Sequence, residues 1–209
     1  MIYHSTRDEK LTAAPTRAVL EGIAPDGGLY VCDPGKLDFD WQGTLQKDTM
    51  SMAADILGAL LPDFQDMNEL VRASYAGKFA SDDLTPLVPV GERYVLELYH
   101  GPTSAFKDMA LQMLPQLLSA ALRKTGESKT VCILVATSGD TGKAAMEGFA
   151  DVPQTKILVF YPKDGVSAIQ ELQMVTQEGK NVGVCSVFGN FDDAQTGVKK
   201  LFSDEALRQ

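Results

Sequence analysis

Histidine and cysteine are scarce in these 209 residues: two histidines, His4 and His100, and three cysteines, Cys32, Cys132 and Cys185. So few donors leave little from which to build a transition-metal site, and no CxxC pair exists to hold zinc. Three widely separated cysteines also argue against a disulfide framework and fit a reduced cytosolic setting. Positive charge is short as well, with 19 Lys and Arg against 28 Asp and Glu and a formal net charge of -9. An acidic surface repels nucleic acid and anionic membranes, which are therefore not expected as partners, whereas a small anionic substrate needs only a local nest of donors. No apolar run is long enough to span a bilayer, and Arg7, Asp8, Glu9 and Lys10 stand where a signal peptide would need an apolar stretch. A cytoplasmic location is expected. There is no repeat of fixed period and no low-complexity tract.

What is present is the composition of a globular protein, 44% hydrophobic and 22% charged, in a length that suits one or two domains. Residues 12–24 read as a helix closed by Pro25-Asp26-Gly27-Gly28, followed by a short strand, Leu29-Tyr30-Val31. Residues 50–61 place Ala53, Ile56, Leu57, Leu60 and Leu61 at helical spacing, and Pro62 stops them. Asp66 followed by Glu69 reads as an acidic capping box for a helix running to Gly77. From about residue 85 the texture changes, and a domain boundary is placed there, giving 1–85 and 86–209. Tyr94, Leu96 and Leu98 alternate as a strand leading toward Lys107. Beyond it, Leu111, Leu114, Leu118 and Leu122 form an apolar stripe to Gly126, with Pro115 inside it, where a kink or break is expected. Val131–Ala136 is a continuous apolar run of the kind buried on both faces. Ile157–Tyr161 leads into a helix from about Val166, and Val182–Phe188 into a helix from about Asp192. The predicted fold is α/β: a parallel sheet with helices on both faces, preceded by a smaller, mainly helical N-terminal region.

Three stretches carry candidate chemistry. Lys107, in Leu-Tyr-His-Gly-Pro-Thr-Ser-Ala-Phe-Lys-Asp-Met-Ala at 98–110, is placed in the first turn of a helix, where the dipole favours an acid such as Asp108 over a cation. The dipole, and burial beside Phe106, would favour the neutral amine, as a lysine that condenses with a carbonyl requires. The plainer alternative is a surface lysine snorkelling from an amphipathic helix. Thr137-Ser138-Gly139-Asp140-Thr141-Gly142 follows the apolar strand and precedes a helix beginning near Lys143. Its glycines, hydroxyls and helix-terminal N–H groups suit a carboxylate or single phosphate. The Walker pattern fails at Thr137 and Ala144, and GxGxxG is absent. An ordinary capped turn is the alternative. Phe188-Gly189-Asn190-Phe191-Asp192-Asp193 repeats the arrangement, with Asp192 expected to cap and Gln195 to complete the box. In a parallel sheet, the loops of Lys107, Ser138 and Asn190 could all meet at the carboxyl ends of the strands.

His-Gly-Pro-Thr-Ser-Ala-Phe-Lys-Asp at 100–108 and Ala-Thr-Ser-Gly-Asp-Thr-Gly at 136–142 together resemble the threonine synthase family, pyridoxal-phosphate enzymes of the tryptophan-synthase-like fold. Two further stretches agree: Gly-Ile-Ala-Pro-Asp-Gly-Gly-Leu-Tyr-Val at 22–31, and Tyr-Pro-Lys-Asp-Gly-Val-Ser at 161–167 with Gln-Met-Val-Thr-Gln at 173–177. The resemblance runs from Tyr3 to the last residues.

The resemblance implies that Lys107 holds pyridoxal phosphate covalently, with Phe106 and Asp140 beside it. It further implies that O-phospho-L-homoserine and water are converted to L-threonine and phosphate. Ser138, Gly139, Asp140, Thr141 and Gly142 match the loop that holds the substrate carboxylate, and Asn190 and Phe191 are assigned to substrate as well. Wider relatives carry Asn where Asp140 stands. No metal is implied. Family members continue well beyond residue 209, with the loop for the cofactor phosphate and the partner of the ring nitrogen in that C-terminal portion. The chain is therefore expected to be a truncated fold whose partner is the C-terminal half of the same enzyme, binding cofactor weakly and turning over little. Two rival readings are a related serine or threonine dehydratase and a non-catalytic fragment with exposed apolar surface. The sequence leaves the roles of His100 and Lys163 open.

Overall fold

In a computed structural model that describes residues 1–33, 35, 37, 39–204 and 206, the chain divides into two units. The first comprises Met1–Leu84 with Gln116–Glu127, and the second Thr85–Pro115 with Ser128–Gln209. Gln116–Glu127, which a single boundary near residue 85 puts in the later region, clusters with the first unit.

In the first unit, β1 (Tyr3–Ser5) pairs antiparallel with β2 (Thr12–Ala13) on one side and β3 (Tyr30–Val31) on the other. The helix expected over 12–24 is shorter, α1 (Pro15–Glu21), because Thr12 and Ala13 pair in the sheet and Pro15 fixes the first helical position. Gly22, at φ 67°, ends it. After α2 (Trp41–Thr44), the Asp48 carboxylate accepts the Ser51 N–H and starts α3 (Thr49–Leu60), which packs on α4 (Met67–Tyr75). Asp66 does not cap α4. It stands in the left-handed region at φ 57°, whereas a capping side chain needs an extended backbone to reach the first-turn amides. Val71, Tyr75, Ala121 and Leu122 are among the buried residues of this unit.

The second unit opens with a hairpin, β4 (Leu87–Val90) against β5 (Arg93–Leu96), that forms its own two-stranded sheet. The strand expected to lead directly to Lys107 is thus half of an antiparallel pair, and Leu87, Val90, Tyr94, Val95 and Leu96 are exposed on it. Helix α5 (Asp108–Leu111) is a single turn, and α6 (Leu114–Thr125) begins afresh with Pro115 in its first turn, where a proline costs least. The predicted break falls there.

The main sheet is parallel, in the order β6 (Val131–Ala136), β7 (Thr155–Pro162), β8 (Val182–Val187). Its helices are α7 (Asp140–Phe149), α8 (Ala168–Val175) and α9 (Phe191–Ser203). Val159 of central β7 lies against Gly142 of α7, while its neighbour Phe160 lines a cleft with Ala194, Val198 and Leu201 of α9. Successive strand residues point to opposite faces, so helices cover both faces of the sheet. Strand β6 is only half-buried, with Cys132 exposed, because it is an edge strand in this sheet. Full burial falls on β7, at Ile157 and Val159.

Among the described residues, no helix is long and apolar enough to cross a membrane, and no group of three or more His, Cys, Asp or Glu side chains could hold a metal.

Candidate active site

The approach to Lys107 is built from short-range polar contacts. His100 Nε2 lies 2.7 Å from Glu97 Oε2, and the His100 ring stacks on Tyr99 at 4.7 Å. Hydrogen bonds from Tyr99 and His100 hold the Glu97 carboxyl below its usual range. These contacts give His100 a structural partner. Further along, Asp108 is completely buried and accepts hydrogen bonds from the Thr103 N–H at 2.8 Å and the Thr103 hydroxyl at 2.6 Å. The Asp108 carboxylate also fills the space that a side chain at Gly101 would need. Between them the chain turns through Ser104 at φ 58°.

Lys107 therefore leaves a tightly folded loop. It occupies the N-cap position of α5 with φ -63° and ψ -19°, one residue before the turn expected to contain it. The dipole and burial expected around this amine are both reduced, since α5 is four residues long and Phe106 is 59% exposed. Its ammonium lies over the Phe106 ring, 4.3 Å from the centroid, and among the described residues no carboxylate pairs with it. A cation on an aromatic face is held without a proton acceptor, which leaves the amine open to other chemistry.

The loop after β6 is organised by Thr137, which residue type alone marks only as one more hydroxyl in the turn. Its buried Oγ1 accepts the Gly139 N–H at 3.1 Å and the Gly142 N–H at 2.9 Å, and donates to the Gly139 carbonyl. Gly139 and Gly142 thus give their amides to the loop itself. Among the described residues, the amides of Ser138, Asp140 and Thr141 and the hydroxyls of Ser138 and Thr141 have no hydrogen-bond partner, a set of donors that suits an anion at the start of α7. That helix begins at Asp140, three residues before the expected Lys143, so Thr141 and Gly142 lie in its first turn. Gly142 is also sterically required, because a methyl there would overlap Thr137 and Val159.

Asp140 Oδ1 accepts a hydrogen bond from Gln170 Nε2 at 2.8 Å. Gln170 belongs to the first turn of α8, thirty positions along the chain. Nothing local in the sequence pairs it with Asp140.

After β8, the cap of α9 is Asn190 and not Asp192. Asn190 Oδ1 accepts the Asp193 N–H at 3.1 Å, and Asp193 Oδ2 accepts the Asn190 N–H at 2.8 Å. The box stands two residues before the expected one, directly after the turn that Gly189 makes at φ 134°. Phe191 is the first residue of α9 and half-buried. The Lys163 ammonium lies 4.7 Å from the centroid of the exposed Phe188 ring, joining the ends of β7 and β8.

The loops bearing Ser138, Lys163 and Asn190 all leave the carboxyl end of the parallel sheet. Helix α5, which follows Lys107, packs on α7, with the Leu111 carbonyl against Gly148 so closely that any side chain there would collide.

A family model described as threonine synthase N terminus matches residues 2–88. The chain is 38% identical to the threonine synthase of Saccharomyces cerevisiae over 98% of its own length and 43% of that protein's. Against the threonine synthase of Pseudomonas aeruginosa it is 39% identical over 99% of its own length and 45% of the relative's. The crystal structure of a PLP-bound threonine synthase from Brucella melitensis superposes with a TM-score of 0.88 at 37% identity, covering 99% of this chain and 45% of that one. By sequence and by fold, the chain matches the N-terminal portion of threonine synthases. It spans about half the length of the curated relatives it matches.

The threonine synthase likeness joins the two units in one assignment. The family model falls almost wholly on the first segment of the first unit, while the Lys107 and Ser138 motifs lie in the second.

Proposed function

We propose that this chain supplies the lysine and the carboxylate-binding loop of a pyridoxal-phosphate-dependent threonine synthase. The reaction is conversion of O-phospho-L-homoserine and water to L-threonine and phosphate, a carbon–oxygen lyase chemistry, in a cytoplasmic setting. The observation that carries this reading is Lys107: a primary amine on the Phe106 face at the mouth of α5, within a chain whose fold matches a PLP-bound threonine synthase. The residues present fit the group. An uncommitted amine can engage its carbonyl carbon, the second oxygen of Asp140 can accept a hydrogen bond from its ring hydroxyl, and Phe106 offers a ring beside it.

When bound, pyridoxal phosphate supplies the electron sink for carbanion chemistry at the substrate. Lys107 then carries protons at the substrate's α and β carbons, its flexible four-carbon stem letting the amine reach from one to the other. The free amides of Ser138, Asp140 and Thr141, with the two hydroxyls, take the substrate carboxylate at the start of α7. Gly139 and Gly142 shape that cradle through their backbone. Asn190 and Phe191 approach substrate from the end of β8, on the other side of β7 from the carboxylate loop, with the Asn190 side-chain NH2 as the donor its cap leaves over. The region of threonine synthases that this chain does not span supplies the remaining contacts, above all those to the cofactor phosphate, and its presence sets the rate of turnover.

The test is an absorbance titration of the chain with pyridoxal phosphate, then borohydride reduction and peptide mapping. A reduced pyridoxyl group on Lys107, lost in Lys107→Ala, is the expected result. Labelling spread over surface lysines with Lys107 unmarked refutes the assignment. Release of a keto acid from threonine by the enzyme reconstituted with its C-terminal region would move it to the dehydratases.

A further inference from the structure

Gln170 makes contacts that the proposed chemistry does not yet use. Its Oε1 accepts the Ser167 N–H at 3.0 Å and its backbone N–H donates to Ser167 Oγ at 3.2 Å, completing the capping box of α8. The other end of the same carboxamide, Nε2, donates to Asp140 Oδ1 at 2.8 Å. One planar group thus ties the loop after β7 to the first residue of the helix after β6. The carboxamide also lies directly against Gly139, which stands at φ 143° and ψ -105°, a conformation essentially reserved for glycine. A methyl group at Gly139 would overlap the Gln170 carboxamide. Gly139, Asp140 and Gln170 therefore pack as one unit.

The consequence concerns the carboxylate. With Oδ1 fixed by Gln170, the Asp140 side chain is held in one orientation, and among the described residues Oδ2 has no hydrogen-bond partner. A carboxylate held by one oxygen presents the other to an incoming group without first paying rotamer entropy. We propose that Gln170 is a positioning residue of this site: it holds Asp140 and the Gly139 peptide so that Asp140 Oδ2 is aimed for the cofactor. This rests on the reading that Lys107 and Asp140 share a cofactor site. The capping role and the positioning role use opposite ends of one amide, which makes them separable.

Gln170→Glu keeps the acceptor that caps α8 but replaces the donor with an oxygen facing Asp140. Ser167→Ala weakens the cap and leaves the Gln170–Asp140 hydrogen bond in place. Two readouts apply: hydrogen exchange at the Gly139 and Gly142 amides, the two of this loop that Thr137 protects, and the dissociation constant and visible band of the pyridoxal phosphate adduct on Lys107. In Gln170→Glu, exchange at these two amides should rise about tenfold, as expected when a charge-assisted hydrogen bond gives way to a like-charge contact, and the adduct should weaken by a similar factor. Ser167→Ala should leave both within about twofold and raise exchange only in the first turn of α8. Unchanged exchange at Gly139 and Gly142 in Gln170→Glu overturns the proposal, as does an equal response in Ser167→Ala. If the unsubstituted chain forms no adduct on Lys107, the cofactor reading fails, and the exchange comparison alone decides whether Gln170 holds the loop.

Discussion

The buried Asp108 carboxylate takes two hydrogen bonds from Thr103, one from its N–H at 2.8 Å and one from its hydroxyl at 2.6 Å, and so closes the loop from which Lys107 emerges. Asp108 follows Lys107 directly, so any slackening of this lock moves the amine. Asp108→Asn should cost about 1–2 kcal/mol in denaturant unfolding, because the carboxamide gives up the charge that strengthens both hydrogen bonds, its oxygen keeping the Thr103 N–H and its NH2 donating to the Thr103 hydroxyl in exchange. Thr103→Ala should lose less, since the backbone N–H remains. Equal stability of Asp108→Asn and the parent chain would show that the lock is incidental.

Thr137 bears a similar load inside the anion loop. Replacing it with Val keeps the shape but leaves the buried Gly139 N–H without its Oγ1 acceptor, while the Gly142 N–H falls back on the Gly139 carbonyl it also meets at 3.1 Å. The expected loss is about 1–3 kcal/mol, the cost of one unsatisfied donor, while Thr137→Ser should keep most of the stability. Thermal unfolding of the three proteins checks this. If Val and Ser variants melt together, the hydroxyl is not what holds the loop.

The parallel sheet was legible because β6, β7 and β8 are short continuous apolar runs, each followed by a turn and a helical stretch. The hairpin was not, since alternation in Tyr94, Leu96 and Leu98 is the same whether a strand pairs in a large sheet or with its neighbour β4. Lys107, Ser138, Asp140 and Asn190 stood out by residue type and position in turns. What Thr137, Asp108 and Gln170 do was hidden for a physical reason: each role depends on where a backbone N–H or a distant side chain points. Gln170 reads as a helix cap and nothing more until the chain between it and Asp140 is folded. The displaced cap at Asn190 shows the same limit, since a glycine turn moved the helix start without changing the residues that could serve it.

Asp63 should contribute to the acid response of the first unit. Partial burial pushes its carboxyl up, but hydrogen bonds from the Thr16 hydroxyl and N–H, with Lys124 close by, outweigh that and hold it below the usual range. A depressed carboxyl stabilises the fold above the unfolded value of about 3.9, and that stability fades as pH falls through the lower folded value. Urea midpoints for the parent chain should therefore fall below about pH 4 more steeply than those of Asp63→Asn, which should be the less stable of the two near neutrality. Parallel curves for the two proteins would remove Asp63 from the account.

Asn190 can be tested for two roles at once, because its Oδ1 caps α9 while its NH2 is left over. Asn190→Ala removes both and should cost about 1 kcal/mol of stability through the lost cap. Asn190→Ser keeps a capping oxygen and removes the amide donors, so it should unfold at nearly the parent denaturant concentration. If Asn190 meets substrate, the Ser variant in the enzyme carrying its C-terminal region should raise KM several-fold while stability holds. A Ser variant with parent kinetics would leave Asn190 as the cap of α9 alone, and would shift the search for the second substrate contact to Phe191 and to Lys163 at the end of β7.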